Sequence, residues 1–430
     1  MKNLILCLDG TWSDADSPAP HTNIAIIAEI IDPSPAGGAE QRVYYDAGVG
    51  TGGVLDRILG GAFGRGLSAN TLAAYRFLSQ FYRPGDNIYV FGFSRGAFTA
   101  RSLCGFLSAS GLLTEDACNE ANLEFAWDYY RTAPKARFPA DRARLRRITH
   151  ADELRIRFLG VFDTVGALGI PRGFMSRLSR RAIQFHDADV SSIVDYCCHA
   201  LAIDEQRVEF EAAVWTEPRH RKFRAVEQAW FPGSHANVGG GCEDSGLSDL
   251  ALDWMLKRLA RYCPELRLSP QESWPRQLSP SYRGQLYDAR SWMFWRSRWR
   301  PLMRLINRSD LGRVWRCRLP EIRPHSRPIG EMVHWSALAR WEETKANRRR
   351  QRYQPRNLVA ALQSVQDDKT PVVGLDGEPT SLLGLYKATG AQDKATGAQA
   401  PAANGAAAPR PSANGAGEVG EAAQARSAGR

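Results

Sequence analysis

Long apolar runs are missing from this 430-residue chain. Apolar stretches such as 4–8 and 88–93 fall far short of the ~20 residues that a membrane-crossing helix needs. A signal-peptide pattern is missing too: after Lys2 and Asn3 the first apolar run meets Asp9 within a few residues. The expectation is a soluble protein kept in the cytoplasm. Cysteine is patternless. The eight residues at 7, 104, 118, 197, 198, 242, 263 and 317 include no CxxC pair and no Cys/His spacing of the kind that holds zinc. Adjacent Cys197 and Cys198 are a poor disulfide framework, so free thiols in a reducing compartment are expected, with no metal and no cofactor. Aromatic residues are not scarce: 12 Trp, 13 Tyr and 17 Phe exclude a wholly disordered chain.

Basic residues number 56 against 46 acidic, a formal net charge of +10. That balance permits an anionic partner without choosing one. Large side chains almost vanish from residue 387 onward, where KATGAQ at 387–392 recurs at 394–399 among Ala, Gly, Pro and Ser. Such a segment buries too little to offset ordering entropy, and 387–430 is expected to be a disordered tail.

The body alternates strand-like and helix-like pieces. NLILCL at 3–8, 43–46, NIYVF at 87–91, 154–161 and 223–231 read as strands. Residues 68–82 carry Leu72, Tyr75, Leu78 and Tyr82 at helical spacing. Ala97, Ala100, Cys104 and Leu107 form a small-residue helical face, and Ser248 is a candidate N-cap for the stripe Leu252, Met255, Leu256 and Leu259. This alternation predicts an α/β fold with a mostly parallel, doubly wound sheet. The expected domains are a catalytic unit over 1–265, an appended Arg/Trp-rich helical cap or subdomain over 266–386, and the tail.

The motif Gly92-Phe93-Ser94-Arg95-Gly96 follows the strand NIYVF and opens the small-residue helix. That strand–turn–helix context is what a nucleophile elbow requires, with Gly92 and Gly96 permitting the sharp turn and Ser94 left at the strand's C-terminal end. A serine nucleophile needs a base and a group that orients it. Asp163 ends a strand in GVFDTVG, and His235 sits in WFPGSHANVGGG on an expected loop among Gly, Ser and Ala. The order Ser, Asp, His is that of α/β-hydrolases. Asp204 and Asp244 are rival acids, while His199, in a helix-like run, and His334 read as packing residues. The oxyanion donors expected are the Arg95 N–H and an amide of the turn after the first strand, Gly10 or Thr11, with Asp9 holding that turn by side-chain-to-backbone bonds.

The phrases LILCLDGTW, YYDAGVGTGG, FGFSRGAFTARSL, FLGVFDTVGALG, ALAIDEQRVEF, WFPGSHANVGGG and LSDLALDWML run in order from residue 3 to about 259, with HWSALARW and YQPRNL near 334–358. In this succession the chain resembles the family of type VI secretion phospholipase effectors, long known only as a domain of unknown function. The resemblance implies a three-layer α/β-hydrolase fold and a Ser-Asp-His esterase of lipid substrates, with Ser94, Asp163 and His235 in those roles. It also implies export by a type VI secretion system, with a secretion-system or immunity partner, if the chain is an effector.

Other readings are weaker. GVGTGG at 48–53 matches G-x-G-x-x-G, but no acid lies near 20 residues downstream, which argues against a dinucleotide. CLDGT at 7–11 is similar to the nucleophile block of haloacid-dehalogenase-like phosphatases, yet Cys7 stands where that aspartate would be. Residues 290–318 hold nine Arg and one Asp, with Trp292, Trp295, Trp299 and Trp315 interleaved. Such a stretch suits peripheral contact with anionic headgroups; a cap that packs its Trp on the body is the competing account, and no nucleic acid is expected. The expected function is ester hydrolysis through an acyl-serine, with a phospholipid as substrate. The alternatives are a soluble carboxylesterase or an α/β-hydrolase-fold interaction module without activity.

Overall fold

A computed structural model describes residues 1–385 except 11–20, 34–37, 49–62, 152, 166–189, 217–222, 289–300, 309–316, 318, 320–326, 347–351 and 368. The expected tail and most of the Arg/Trp-rich stretch therefore lie outside the described residues.

Nine strands form one sheet among the described residues. They are β1 (Asn3–Leu8), β2 (Gln41–Asp46), β3 (Asn87–Phe93), β4 (Ile156–Phe162), β5 (Val194–Ala202), β6 (Ala225–Phe231), β7 (Glu331–His334), β8 (Val372–Val373) and β9 (Pro379–Thr380). The order is β2-β1-β3-β4-β5-β6-β7-β8-β9, parallel throughout except for the β8–β9 pair. The mostly parallel α/β arrangement read from the alternation is thus present. No described helix is long and apolar enough to cross a membrane. All eight cysteines are free thiols.

Alternation along the central strands explains why the sheet is covered on both faces. Leu4, Leu6 and Leu8 of β1, with Ile88 and Val90 of β3, enter one apolar cluster. Ile5 and Cys7, with Tyr89 and Phe91, enter another. The helices following the strands are α1 (Asn23–Ile30), α2 (Phe63–Phe81), α3 (Arg95–Ser110), α4 (Glu120–Arg131), α5 (Pro139–Ile148), α6 (His235–Gly239) and α7 (Gly246–Tyr262). Residues of α2 to α5 pack in the first cluster, those of α1 and α7 in the second. The chain passes from β1 outward to β2, then returns to place β3 on the other side of β1. That reversal makes a crevice beyond the carboxyl ends of β1 and β3, where open α/β sheets hold ligands.

Strand β5 and the start of α7 depart from the sequence reading. The run around His199 is strand β5, not helix. Its side chains enter apolar clusters on both faces of the sheet, Val194 and Cys197 in the first and Cys198, Ala200 and Ala202 in the second, so it lacks the polar alternation of a half-exposed strand, and its Cys and Ala residues disguise it. Helix α7 begins at Gly246 with Ser245 before it, three residues ahead of the expected cap, because the Asp244 carboxylate already accepts the Gly246 N–H at 2.9 Å. A third cluster joins Trp230 of β6 and Val333 of β7 to α8 (Trp335–Ala346), α9 (Arg356–Gln366) and Ile306. The chain beyond residue 330 thereby continues the same sheet.

Candidate active site

The carboxyl ends of β1, β3, β4, β5 and β6 deliver, in that order, Asp9, Ser94, Asp163, Ile203-Asp204-Glu205 and His235 to one edge of the sheet. Ser94 separates β3 from α3 and has φ 57 and ψ −117, a left-handed backbone that a residue with a Cβ rarely adopts. The conformation is held from both sides, by Ser94 N–H on the Phe162 carbonyl at 3.1 Å and by Phe98 N–H on the Ser94 carbonyl at 3.2 Å. Its glycines are required by proximity. A Cβ on Gly96 would lie 1.9 Å from the Leu8 carbonyl oxygen, and one on Gly92 would lie 2.6 Å from that of Gly96. The helix start is therefore pressed against the end of β1, and Ser94 stands 2% exposed at the N-terminus of α3.

Asp163, one residue past β4, has φ 38 and is fully buried. Its Oδ2 accepts from His235 Nδ1 at 2.6 Å. Burial pushes its carboxyl up, but the Arg304 guanidinium and the His235 imidazole outweigh that and hold it well below the usual range. An ionised carboxylate only accepts, so Nδ1 carries the proton and His235 Nε2 presents its lone pair. That Nε2 is buried and has no hydrogen-bond partner among the described residues.

His235 opens the five-residue helix α6, where a loop was expected. Ser234 and Asn237 form a reciprocal cap, with the Ser234 N–H on Asn237 Oδ1 at 3.1 Å, and this winds the chain at once. The imidazole is 3% exposed and lies between the rings of Phe93 (4.6 Å) and Phe210 (4.8 Å). Burial lowers its pKa, against the opposing pull of Asp163, so the ring is neutral near pH 7. Phe93 is thus the neighbour of Ser94 in sequence and of His235 in space.

The rival acids point elsewhere. Asp204 Oδ2 accepts from Gly233 N–H at 2.6 Å and from Tyr353 Oη at 2.9 Å, and burial pushes its carboxyl up to about 6. Asp244 accepts from the Gly246 and Gln285 amides. His199 accepts from Thr164 N–H at 3.1 Å, and His334 pairs with Ser336 Oγ at 2.7 Å.

Gly10 adjoins Ser94, since a Cβ built on it would sit 3.2 Å from the Ser94 Cβ. Its own N–H, however, is donated to Asp9 Oδ1 at 2.6 Å. Asp9 Oδ2 accepts from the hydroxyls of Thr22 and of Tyr45 (2.9 Å), so Asp9 ties the turn to α1 and β2. Thr11 lies outside the described residues, as do 49–53 of the glycine-rich stretch.

Two groups escaped the sequence reading. Glu205 forms a bidentate pair with Arg207 (3.0 and 2.9 Å) and accepts from the His235 N–H at 3.3 Å. Arg304 donates to both oxygens of Asp163, at 2.5 and 3.0 Å. Only the run ALAIDEQRVEF singled out the first region, and nothing local marks one arginine among nine.

Among known proteins, an uncharacterized protein of Saccharomyces cerevisiae is 31% identical over 235 residues, 50% of this chain and 33% of that protein. The chain thus spans about a third of the curated relative it matches. Two solved structures align at 18% identity. One, an uncharacterized protein from Pseudomonas aeruginosa, has a TM-score of 0.37 over 63% of this chain and 47% of its own. The other, a Tle1 effector bound to the VgrG spike from the type 6 secretion system, has a TM-score of 0.35 over 57% and 52%. Residues 2–258, more than half of the chain, match the family described as the T6SS phospholipase effector Tle1-like catalytic domain. The chain belongs to that family.

Proposed function

We propose that this chain is a serine hydrolase of carboxylic esters, with an α/β-hydrolase fold, acting on phospholipids. The observation that carries the reading is that a left-handed Ser94 at the end of β3 shares the carboxyl edge of the sheet with a buried, neutral His235 whose Nδ1 is fixed on Asp163. Left-handed backbone at a non-glycine residue is a strain that functional sites keep.

In the reaction, His235 Nε2 takes the Ser94 proton as Oγ attacks the ester carbonyl, and Asp163 stabilises the imidazolium. The oxyanion is met by the Arg95 N–H at the start of α3 and by an amide of the turn after β1. The Gly10 N–H is held by Asp9, and Thr11, the other residue proposed for that second donor, lies outside the described residues. Collapse of the tetrahedral intermediate breaks the C–O bond, and His235 protonates the leaving lysolipid oxygen. His235 then deprotonates a water that attacks the acyl-serine, releasing the fatty acid and restoring the Ser94 hydroxyl.

Family membership supports a phospholipid over a small ester. In this reading residues 1–265 are the catalytic unit and 266–386 an appended part that reaches the site through Arg304. The same membership supports export from the cytoplasm through a type VI machinery, and a secretion-system or immunity partner follows from that export. The test is a panel of phospholipid vesicles and soluble esters with the purified chain. Fatty acid release from vesicles, faster with anionic lipid and weaker in high salt, is expected. Turnover of short soluble esters alone would leave a carboxylesterase, and turnover of neither a binding module.

A further inference from the structure

We propose that Arg304, which lies outside the 2–258 span of the family's catalytic domain, is a positioning residue for the hydrolytic site: it pins the Asp163 carboxylate and restrains the basicity of His235. The inference rests on the serine-hydrolase reading.

The geometry leaves Asp163 no freedom to turn. Its Oδ1 accepts from the Ala202 N–H at 2.9 Å and from Arg304 Nη1 at 2.5 Å. Its Oδ2 accepts from His235 Nδ1 at 2.6 Å and from Arg304 Nη2 at 3.0 Å. Together these occupy about four lone-pair positions, the full capacity of a carboxylate. The guanidinium is itself fixed, with Nη1 on the Ala202 carbonyl at 2.8 Å and Nη2 on that of Phe210 at 2.6 Å. Arg304 is 1% exposed, and the segment that carries it is anchored by the fully buried Leu302 and Ile306 and by the Leu302 N–H on the Gln206 carbonyl at 2.8 Å. A forked, planar cation suits this task; lysine offers the charge without the fork.

The charge has a second consequence. His235 is faced by Asp163 from the end of β4, by Glu205 and Arg207 from the loop after β5, and by the rings of Phe93 and Phe210. Behind Asp163 stands His199 of β5, which burial keeps neutral, its pKa lowered to about 3. Asp204 is turned toward Gly233 and Tyr353. Arg207 opposes a charge on His235 and Glu205 favours one, while Arg304 is the cation bonded to Asp163 itself. A cation on the far side of Asp163 weakens the pull of that carboxylate on the imidazolium. Arg304 therefore secures orientation and at the same time keeps His235 neutral to lower pH.

The test is the rate at which a fluorophosphonate labels the full-length chain, measured across the acid and neutral range for wild type, R304Q and R304K, with thermal melting alongside. R304Q is expected to label about 100-fold more slowly, the scale of a small misplacement in a catalytic group. Its acid limb should move to higher pH, since loss of the cation stabilises the imidazolium. R304K, which keeps the charge, is expected to slow labelling less and to leave the limb in place. A merely structural Arg304 would lower the melting temperature with neither rate nor limb changed, and that result overturns the proposal. If R304Q fails to fold, a wild-type rate in R304K overturns it equally. An unlabelled wild type sinks the hydrolase reading itself, whereas a labelled wild type with indifferent Arg304 variants sinks the Arg304 role alone.

Discussion

Arg304 and Asp163 stand 141 positions apart, yet both terminal nitrogens of the one reach both oxygens of the other. The pair is buried, and it joins a segment after residue 300 to the end of a central strand. His235 completes the arrangement from β6, so three distant pieces of chain meet at one carboxylate.

The identity of the acid is tested by two asparagine substitutions. Asp163→Asn is expected to cost about ten thousand-fold in kcat, because an amide no longer fixes the imidazole tautomer. Asp204→Asn is expected to retain activity within about tenfold, since its contacts go to Gly233 and Tyr353. A silent Asp163→Asn beside an inactive Asp204→Asn would reverse the assignment.

Asp204 also has a signature in stability. Its folded pKa of about 6 lies above the ~3.9 of an unfolded aspartate, so the folded state holds the proton more tightly. Stability from this group is present below the unfolded value and is lost as pH rises through the folded one. Urea unfolding at a series of pH values should show wild type weakening across that window, and Asp204→Asn weakening less. Equal slopes for the two proteins would contradict the assignment.

The base has a pH signature of its own. As the proposed base His235 must be neutral to accept the Ser94 proton, and burial lowers its pKa from the ordinary 6.5. The acid limb of kcat/KM is expected below that value, with full activity by neutral pH. A limb centred above it would place an imidazolium in the resting site and refute this electrostatic description.

Close approach of α3 to β1 is tested by Gly96→Ala. The new methyl would meet the Leu8 carbonyl oxygen at 1.9 Å, and backbone has to move to admit it. A loss of about 3 kcal/mol in urea unfolding is expected, with slower labelling of Ser94 in whatever folds. A loss under about 0.5 kcal/mol would mean that the turn is looser than described.

Much of this frame was legible beforehand. NLILCL and NIYVF are strands because their apolar side chains feed both faces of the sheet, and Gly92 and Gly96 marked the turn by the space they leave. Ser94, Asp163 and His235 were each readable as following a strand. What stayed hidden was set by distance or by burial. Strand β5 carries cysteine and alanine with no alternation, because apolar clusters cover both of its faces. That Asp9 holds its turn by a side-chain-to-backbone bond is legible in the sequence, but not that the bond takes the very Gly10 N–H proposed for the oxyanion. Arg304 acts through a contact between segments 141 positions apart, which no local pattern records.

The central claim is that Ser94 is a nucleophile activated by His235. The most direct measurement is to treat the intact chain with a fluorophosphonate and map the adduct by peptide mass spectrometry. The expected result is a single adduct on the peptide containing Ser94, absent from Ser94→Ala and nearly absent from His235→Ala, both of which melt as wild type does. No adduct on Ser94 in a folded wild type, or undiminished labelling and hydrolysis in Ser94→Ala, would contradict it.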